Sequence, residues 1–188
     1  MIKALAQHYD AIAPKRERYL AGNSYYYSLL YKEYRYLVPP NRKILEVGCG
    51  TGDLLNALTP SLGVGIDISP GMIKIASQKF PHLKFDVGEI KDLPVNEKFD
   101  YIILSGLLGE LADIQGLFEQ LKKFCHPHTR VIIEYYSYFW QYFLKFGEKL
   151  HLKMPQRLQN WITYNDVGNF LALSGYEPIK VERSILFP

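Results

Sequence analysis

Across 188 residues the chain is 48% hydrophobic, and 22 Lys/Arg against 19 Asp/Glu give a formal net charge of only +3, a balance that fits one domain with one sizeable core. No apolar run is long enough to cross a bilayer, and the N-terminal MIKALAQHYDAIAPKRERY has neither the apolar core nor the small-residue cleavage site of a secretory signal. Cys49 and Cys125 form no ligand or redox spacing, so a reduced, cytoplasmic setting is the expectation.

Charge is distributed unevenly. Residues 1–43 hold eight Lys/Arg and three Asp/Glu, whereas residues 44–104 hold five and eight, so a basic arm precedes an acidic segment. The basic residues form no tight run and give no nucleic-acid signal. A solvated helix face is expected of them, with contact to an anionic substrate or, peripherally, to a membrane surface as the alternative. Eight of the fifteen tyrosines fall within the first 36 residues. Tyr27, Tyr31 and Tyr34 stand at i, i+4 and i+7, which predicts a helix over 24–37 with three rings on one side and their hydroxyls at the solvent edge. Pro39 and Pro40 end that helix.

Residues 44–55, ILEVGCGTGDLL, come next and read as strand, tight turn and helix. Backbone amides and a helix N-terminus line such a turn, and glycines at 48, 50 and 52 remove every other Cβ, so a flat polar ligand can lie against bare main chain. A dinucleotide fingerprint would need its third glycine at position 53, where Asp53 stands instead. The phosphate-cradling G-x-x-x-x-G-K is absent as well, since no Lys or Arg lies between Lys43 and Lys74. Glu46, two residues before the first glycine, would repel a pyrophosphate but suits a ligand bearing an ammonium and a sulfonium.

An apolar strand, Glu46-x-Gly48-x-Gly50-x-Gly52 and a helix resemble the first motif of the class I S-adenosylmethionine-dependent methyltransferases. The resemblance implies an α/β fold, a doubly wound and mostly parallel sheet with helices on both faces, and S-adenosylmethionine bound at the carboxyl ends of strands one to four. Tyr9-Asp10-Ala11-Ile12-Ala13 is similar to the N-terminal segment that in many such enzymes folds over the cofactor, which implies a lid role for Tyr9.

After a short helix over 53–58, a second strand over 63–66 ends at Asp67, fifteen residues beyond Gly52. An acid at the carboxyl end of a parallel strand can accept hydrogen bonds from both ribose hydroxyls of a nucleoside. The capping role falls to Ser69, with Pro70 at the first helical position and Met72, Ile73, Ile75 and Ala76 continuing the helix, which leaves Asp67 free for the ligand. A third strand, 83–87, runs into Gly88-Glu89-Ile90-Lys91-Asp92-Leu93-Pro94, similar to the family's G-D-A-x-x-L-P with Glu89 in place of the aspartate. The resemblance implies that Glu89 and the Ile90 amide meet the adenine edge, while Asp92 reads as loop polarity. The implied cofactor set is Tyr9, Glu46, Gly48, Cys49, Gly50, Gly52, Asp67, Ile68, Met72, Glu89, Ile90 and Ser105.

Strand four, 99–104, is apolar on both faces past its start. The following SGLLGEL lacks the D/N-P-P-Y/F of DNA amino-methylating members and the histidines of many small-molecule members. The resemblance thus implies a small-molecule or lipid-like acceptor and no DNA, with Glu110, His8 and Tyr135 as candidate bases. Glu110 reads equally as a first-turn acid facing a helix dipole.

Asp113 predicts the cap of a helix through Leu117, Leu121 and Phe124. His126 and His128, in a loop entering strand five (130–136), are too few for a metal site, and no metal is expected. Phe139, Tyr142, Phe143, Phe146 and Leu150 recur at helical spacing and predict an aromatic insertion over the pocket. Thr163-x-x-Asp166 predicts a capping box for a helix ending at Gly175, followed by a sixth strand over 177–185. No residues remain for the family's seventh strand, so a missing C-terminal segment or a second chain is expected to complete the sheet. The chain reads as one domain, 1–188, with an N-terminal helical arm (1–40), a cofactor-binding core (41–136), an insertion (137–162) and a last helix and strand (163–188). A non-catalytic S-adenosylmethionine-binding module is one rival reading. A nicotinamide-dependent oxidoreductase, opposed by the register of the third glycine, is the other.

Overall fold

Short, near-continuous apolar runs decide the centre of the molecule. The computed structural model describes residues 2–135 and 162–182. Its strands are β1 (Lys43–Val47), β2 (Leu62–Asp67), β3 (Lys84–Val87), β4 (Phe99–Ser105) and β5 (Cys125–Glu134). All neighbours pair in parallel, in the order β3-β2-β1-β4-β5. The chain works outward from β1 to β3 and then crosses to the other side of β1, so a crevice opens between the carboxyl ends of β1 and β4, the place where doubly wound sheets bind ligands.

Successive strand residues point to opposite faces, and here both faces are apolar. Leu45, Val47, Val64, Ile66, Ile102 and Leu104 enter one core, with Leu117, Phe118 and Leu121 of α6 (Ile114–Leu121) and Val167 of α7 (Tyr164–Leu173). Ile44 and Ile103 enter the other, with Tyr26, Leu30 and Tyr34 of α3 (Ser24–Leu37) and Leu54 and Leu55 of α4 (Asp53–Ala57). Helices therefore cover both faces, as a parallel sheet requires. The arm begins with α1 (Ile2–Ile12) and α2 (Arg16–Gly22), and α5 (Pro70–Lys79) joins β2 to β3.

The helix over 24–37 forms with the expected ends, but its buried stripe is Tyr26, Leu30 and Tyr34, not Tyr27, Tyr31 and Tyr34. A four-residue step keeps Tyr26, Leu30 and Tyr34 on one side of the helix. Tyr34 is 3% exposed and its hydroxyl, expected at the solvent edge, is buried. Caps fall where the sequence placed them. Ser69 Oγ accepts from the Met72 amide at 3.1 Å, Asp113 from the Gly116 amide at 2.7 Å, and Thr163 with Asp166 closes a capping box.

Two further expectations are corrected. His126 and His128 belong to β5, which starts at Cys125, five residues before the expected start at Arg130, and accommodates the extra length at an irregularity opposite Phe99 and Tyr101. There His126 Nε2 lies 3.2 Å from Asp100 Oδ1. The sixth strand is absent over 177–182, which runs in irregular conformation outside the sheet, where Ile179 is 78% and Val181 53% exposed. Without a facing strand, alternation alone does not make a strand. The aromatic insertion and residues 183–185 lie outside the described residues. No described helix is long and apolar enough to cross a membrane.

Candidate active site

The turn after β1 is held by its neighbours' carbonyls. The amides of Gly48 and Cys49 donate to the Ile66 carbonyl at 2.8 and 3.2 Å, and the Gly52 amide donates to Cys49 at 2.9 Å. Gly50 and Gly52 both have positive φ, +53° and +77°, yet they serve different ends. A Cβ on Gly50 would meet nothing within 4 Å, whereas one on Gly52 would stand 2.6 Å from Phe85 Cζ. Bare backbone faces open space at Gly50; at Gly52 it admits the β3 phenylalanine.

That open space is a cavity of about 610 Å³ at the carboxyl ends of the strands, in the size range of small-molecule sites. Tyr9, Glu46, Gly48, Cys49, Gly50, Asp67, Ile68, Met72, Glu89, Ile90, Ser105 and Glu110 all line it. Gly52, His8 and Tyr135 do not line it, and each exclusion has a geometric cause. Gly52 is filled by Phe85. His8 is one helical step, about 100°, from Tyr9 and meets the Tyr9 ring edge-on at 5.3 Å. Tyr135 directly follows Glu134, and alternation turns it away from the cavity that Glu134 lines and onto the core.

Asp67 is not free. Its Oδ2 accepts from the Gly50 amide at 2.9 Å and its Oδ1 from the Ser69 amide at 2.9 Å. Each oxygen keeps a second lone pair for a ligand, and burial raises the carboxyl above its ordinary value against those two amides. Glu89 is likewise engaged. Its side chain accepts from the Asp92 amide, Asp92 Oδ2 accepts from the Glu89 amide at 3.0 Å, and Lys91 Nζ lies 2.8 Å from Glu89 Oε1. Asp92 is thus half of a capping box and more than loop polarity.

Glu46 is the most constrained acid. It is 3% exposed, and its Oε2 has no partner among the described residues. Burial pushes its pKa up to about 8, with Asp53 and Asp67 adding to the rise and the Leu55 amide opposing it. A buried carboxyl with one oxygen left without a partner beside a cavity invites a positive ligand group.

The arm closes the cavity from above through three fastenings. The Tyr9 hydroxyl donates to Glu110 Oε1. Asp10 Oδ1 accepts from Ser69 Oγ at 2.6 Å and from the Gly71 amide at 2.8 Å. Lys79 Nζ lies 2.7 Å from Glu17 and 2.5 Å from Asp53. Because Asp10 is the fastening that reaches the α5 N-terminus, Asp10→Ala is expected to loosen α1 by about 1–2 kcal/mol. Hydrogen exchange should show the α1 amides opening roughly tenfold faster while β1 and β4 keep their protection; unchanged α1 protection would mean that packing alone holds the arm.

Sequence reasoning missed Arg16, Tyr27, Tyr31 and Glu134, which also line the cavity. The Arg16 guanidinium donates to the Tyr27 hydroxyl at 3.2 Å and sits 5.5 Å from the centre of that ring. Nothing local distinguishes Arg16 from its basic neighbours. Glu134 carried a usable signal, an acid closing a parallel strand as Asp67 does.

A parallel sheet in this order, an acidic glycine turn after its first strand, and an acid closing its second define a class I S-adenosylmethionine-dependent methyltransferase fold. The chain belongs to the methyltransferase-domain family, whose model matches residues 39–176. It is 24% identical over 175 residues to the demethylmenaquinone methyltransferase of Bacillus cereus (strain ATCC 10987 / NRS 248), covering 77% of this chain and 74% of that one. With the demethylmenaquinone methyltransferase of Chlorobaculum tepidum it shares 31% identity over 85 residues, 44% of this chain and 34% of that protein's length. Among solved structures, the DhpI complex with S-adenosylhomocysteine superposes with a TM-score of 0.70 at 16% identity, over 93% of this chain and 87% of that chain.

Proposed function

We propose that the chain transfers the methyl group of S-adenosylmethionine to a small aromatic acceptor that carries a ring hydroxyl, of the quinol kind. The observation that carries the cofactor assignment is the buried Glu46 carboxyl, whose Oε2 has no partner among the described residues, beside the open face of Gly50. A dinucleotide's pyrophosphate would be repelled there, while an ammonium and a sulfonium are attracted. Asp67 offers its remaining lone pairs to the ribose, and Glu89 with the Ile90 amide offers the adenine edge a polar rim. Cys49, Ile68, Met72 and Ser105 supply the walls.

Two observations support the acceptor class. Tyr9, Tyr26, Tyr27 and Tyr31 with Leu5 and Leu107 also line the cavity, flat and apolar faces suited to a ring. The B. cereus relative bears the name of a quinone-modifying enzyme and covers most of this chain. S-adenosylmethionine brings an already electrophilic methyl carbon, so the protein's own work is to align the acceptor with the carbon–sulfur bond and to exclude water. The Tyr9–Glu110 closure and the packed arm do the latter. Two unpaired thiols, Cys49 and Cys125, suit a reducing compartment such as the cytoplasm.

Calorimetric titration tests the cofactor, and labelled-methyl transfer tests the acceptor. Micromolar binding of S-adenosylhomocysteine, no binding of NAD, and transfer to 1,4-naphthohydroquinone are expected. Binding of NAD alone would overturn the reading.

A further inference from the structure

Glu110, Asp113 and Glu134 line the cavity away from the cofactor loop, and they are placed differently; Asp113 is spent capping α6 on the Gly116 amide. Glu110 is taken by the Tyr9 hydroxyl and belongs to the closure. Glu134 ends β5, directly opposite Ser105 in the parallel register. The Gly106 amide donates to the Glu134 backbone carbonyl at 3.0 Å, which fixes the main chain. The Ser105 hydroxyl donates to Oε2 at 3.1 Å, which fixes the side chain. Gly106 leaves the approach bare, since a Cβ there would stand 4.0 Å from Oε2.

Position along the sheet separates its task from that of Glu46. Asp67 and Glu89 lie at the β2 and β3 end of the cavity, and Glu134 lies at the opposite end. Strands repeat at about 4.8 Å, so the ends of β1 and β5 are roughly 10 Å apart. A nucleoside held at β2 and running toward β1 directs its far end at β4, and whatever receives a group from it sits between there and β5.

We propose that Glu134 is the catalytic base of the acceptor subsite, taking the proton of the acceptor's ring hydroxyl, an assignment that rests on methyl transfer from S-adenosylmethionine. The O–H bond breaks and its proton passes to the Glu134 carboxylate. The electron pair left on the ring oxygen attacks the methyl carbon, either from that oxygen or through the conjugated ring carbon. The carbon–sulfur bond breaks with its pair remaining on sulfur, giving neutral S-adenosylhomocysteine. In the ring-carbon case the displaced C–H proton leaves to water and aromaticity returns. Enclosure raises the Glu134 carboxyl above its ordinary value, against the Ser105 hydroxyl, and a stronger base is what a phenol requires. The groups facing it are Ser105 from β4 and Tyr34 and Glu33 from α3.

The test compares wild type with Glu134→Gln on two probes, 1,4-naphthohydroquinone and a polyhalogenated hydroquinone already ionised at the assay pH. Calorimetry with S-adenosylhomocysteine is run on the same samples. Glu134→Gln should bind S-adenosylhomocysteine within about twofold of wild type and lose about a hundredfold or more in transfer to the naphthohydroquinone. With the pre-ionised probe the deficit should shrink to a few-fold, because no proton remains to be taken. An equal deficit on both probes, or none on either, overturns the role. So does wild type that binds S-adenosylhomocysteine and methylates neither probe. Wild type that binds no S-adenosylhomocysteine would instead overturn the methyltransferase reading. If Glu134→Gln does not fold, Glu134→Asp carries the same comparison, with its carboxylate withdrawn by one methylene.

Discussion

A Gly50→Val protein is expected to fold and to bind S-adenosylhomocysteine about a thousandfold more weakly than wild type, whereas Gly52→Val is expected not to fold stably. Both positions have positive φ, so both pay for a branched side chain in the left-handed region, about 1–3 kcal/mol. At Gly50 that strain is nearly the whole structural cost, because no heavy atom lies within 4 Å of the new Cβ. The domain's total stability of roughly 5–15 kcal/mol absorbs it. Cofactor binding has no such reserve, since two methyl groups project into the cavity where a ligand must lie on the main chain. At Gly52 the strain is joined by collision with Phe85, whose Cζ and Cε1 would stand 2.6 and 2.8 Å away. Overpacking a site wedged between a helix start and β3 costs a further 1–3 kcal/mol or more. Thermal melts with calorimetry read the contrast. Normal cofactor affinity in Gly50→Val would show that the ligand does not lie on the loop, and a stable Gly52→Val would show that Phe85 can swing aside.

The same pair shows how far the sequence carried the reading and where it stopped. Alternating glycines announce a tight turn with ligand-facing backbone, but composition cannot say which glycine faces the ligand and which faces a phenylalanine 33 residues downstream. The first four strands and the caps were legible because local chemistry determines them: Ser69, Asp113 and Thr163 each sit before an apolar helical repeat and each caps it. Asp67 ends β2 as its sequence position indicates, but its engagement with the Gly50 amide depends on the loop folding back over β2, seventeen residues from one to the other. β5 was misjudged at its start, because His126 and Thr129 are held by pairing with β4 and not by strand propensity. Residues 177–182 failed in the opposite direction, with the right alternation but no partner strand among the described residues. Arg16 and Tyr27 meet at the cavity only because α2 and α3 fold side by side.

Affinity for S-adenosylmethionine is expected to rise with pH up to about 8, and Glu46→Gln is expected to abolish that rise. Burial pushes the Glu46 carboxyl of the ligand-free protein up to about 8, with the Leu55 amide opposing, Asp53 and Asp67 adding to the rise and Arg16 opposing it. A cationic ligand favours the carboxylate, so binding below pH 8 releases a proton. Each pH unit between 6 and 8 therefore strengthens binding by up to about tenfold, and above 8 the effect levels off. Stability of the ligand-free fold must move the other way. A carboxyl whose folded pKa lies above its unfolded one gives a contribution that is fully present below the unfolded value and is lost as pH rises through about 8. Glu46→Gln removes this titration, so the ligand-free variant should match wild type at acid pH and exceed it above pH 8, by up to about 3–5 kcal/mol on the size of the shift. Its affinity should be flat with pH and about a hundredfold weaker at pH 8. Calorimetry from pH 6 to 8.5 in two buffers of different ionisation enthalpy reads both the affinity and the proton count. A wild-type affinity independent of pH, with no proton released, would show that the ligand's positive end does not meet Glu46, and with that the physical reason for choosing a sulfonium nucleoside over a dinucleotide would be gone.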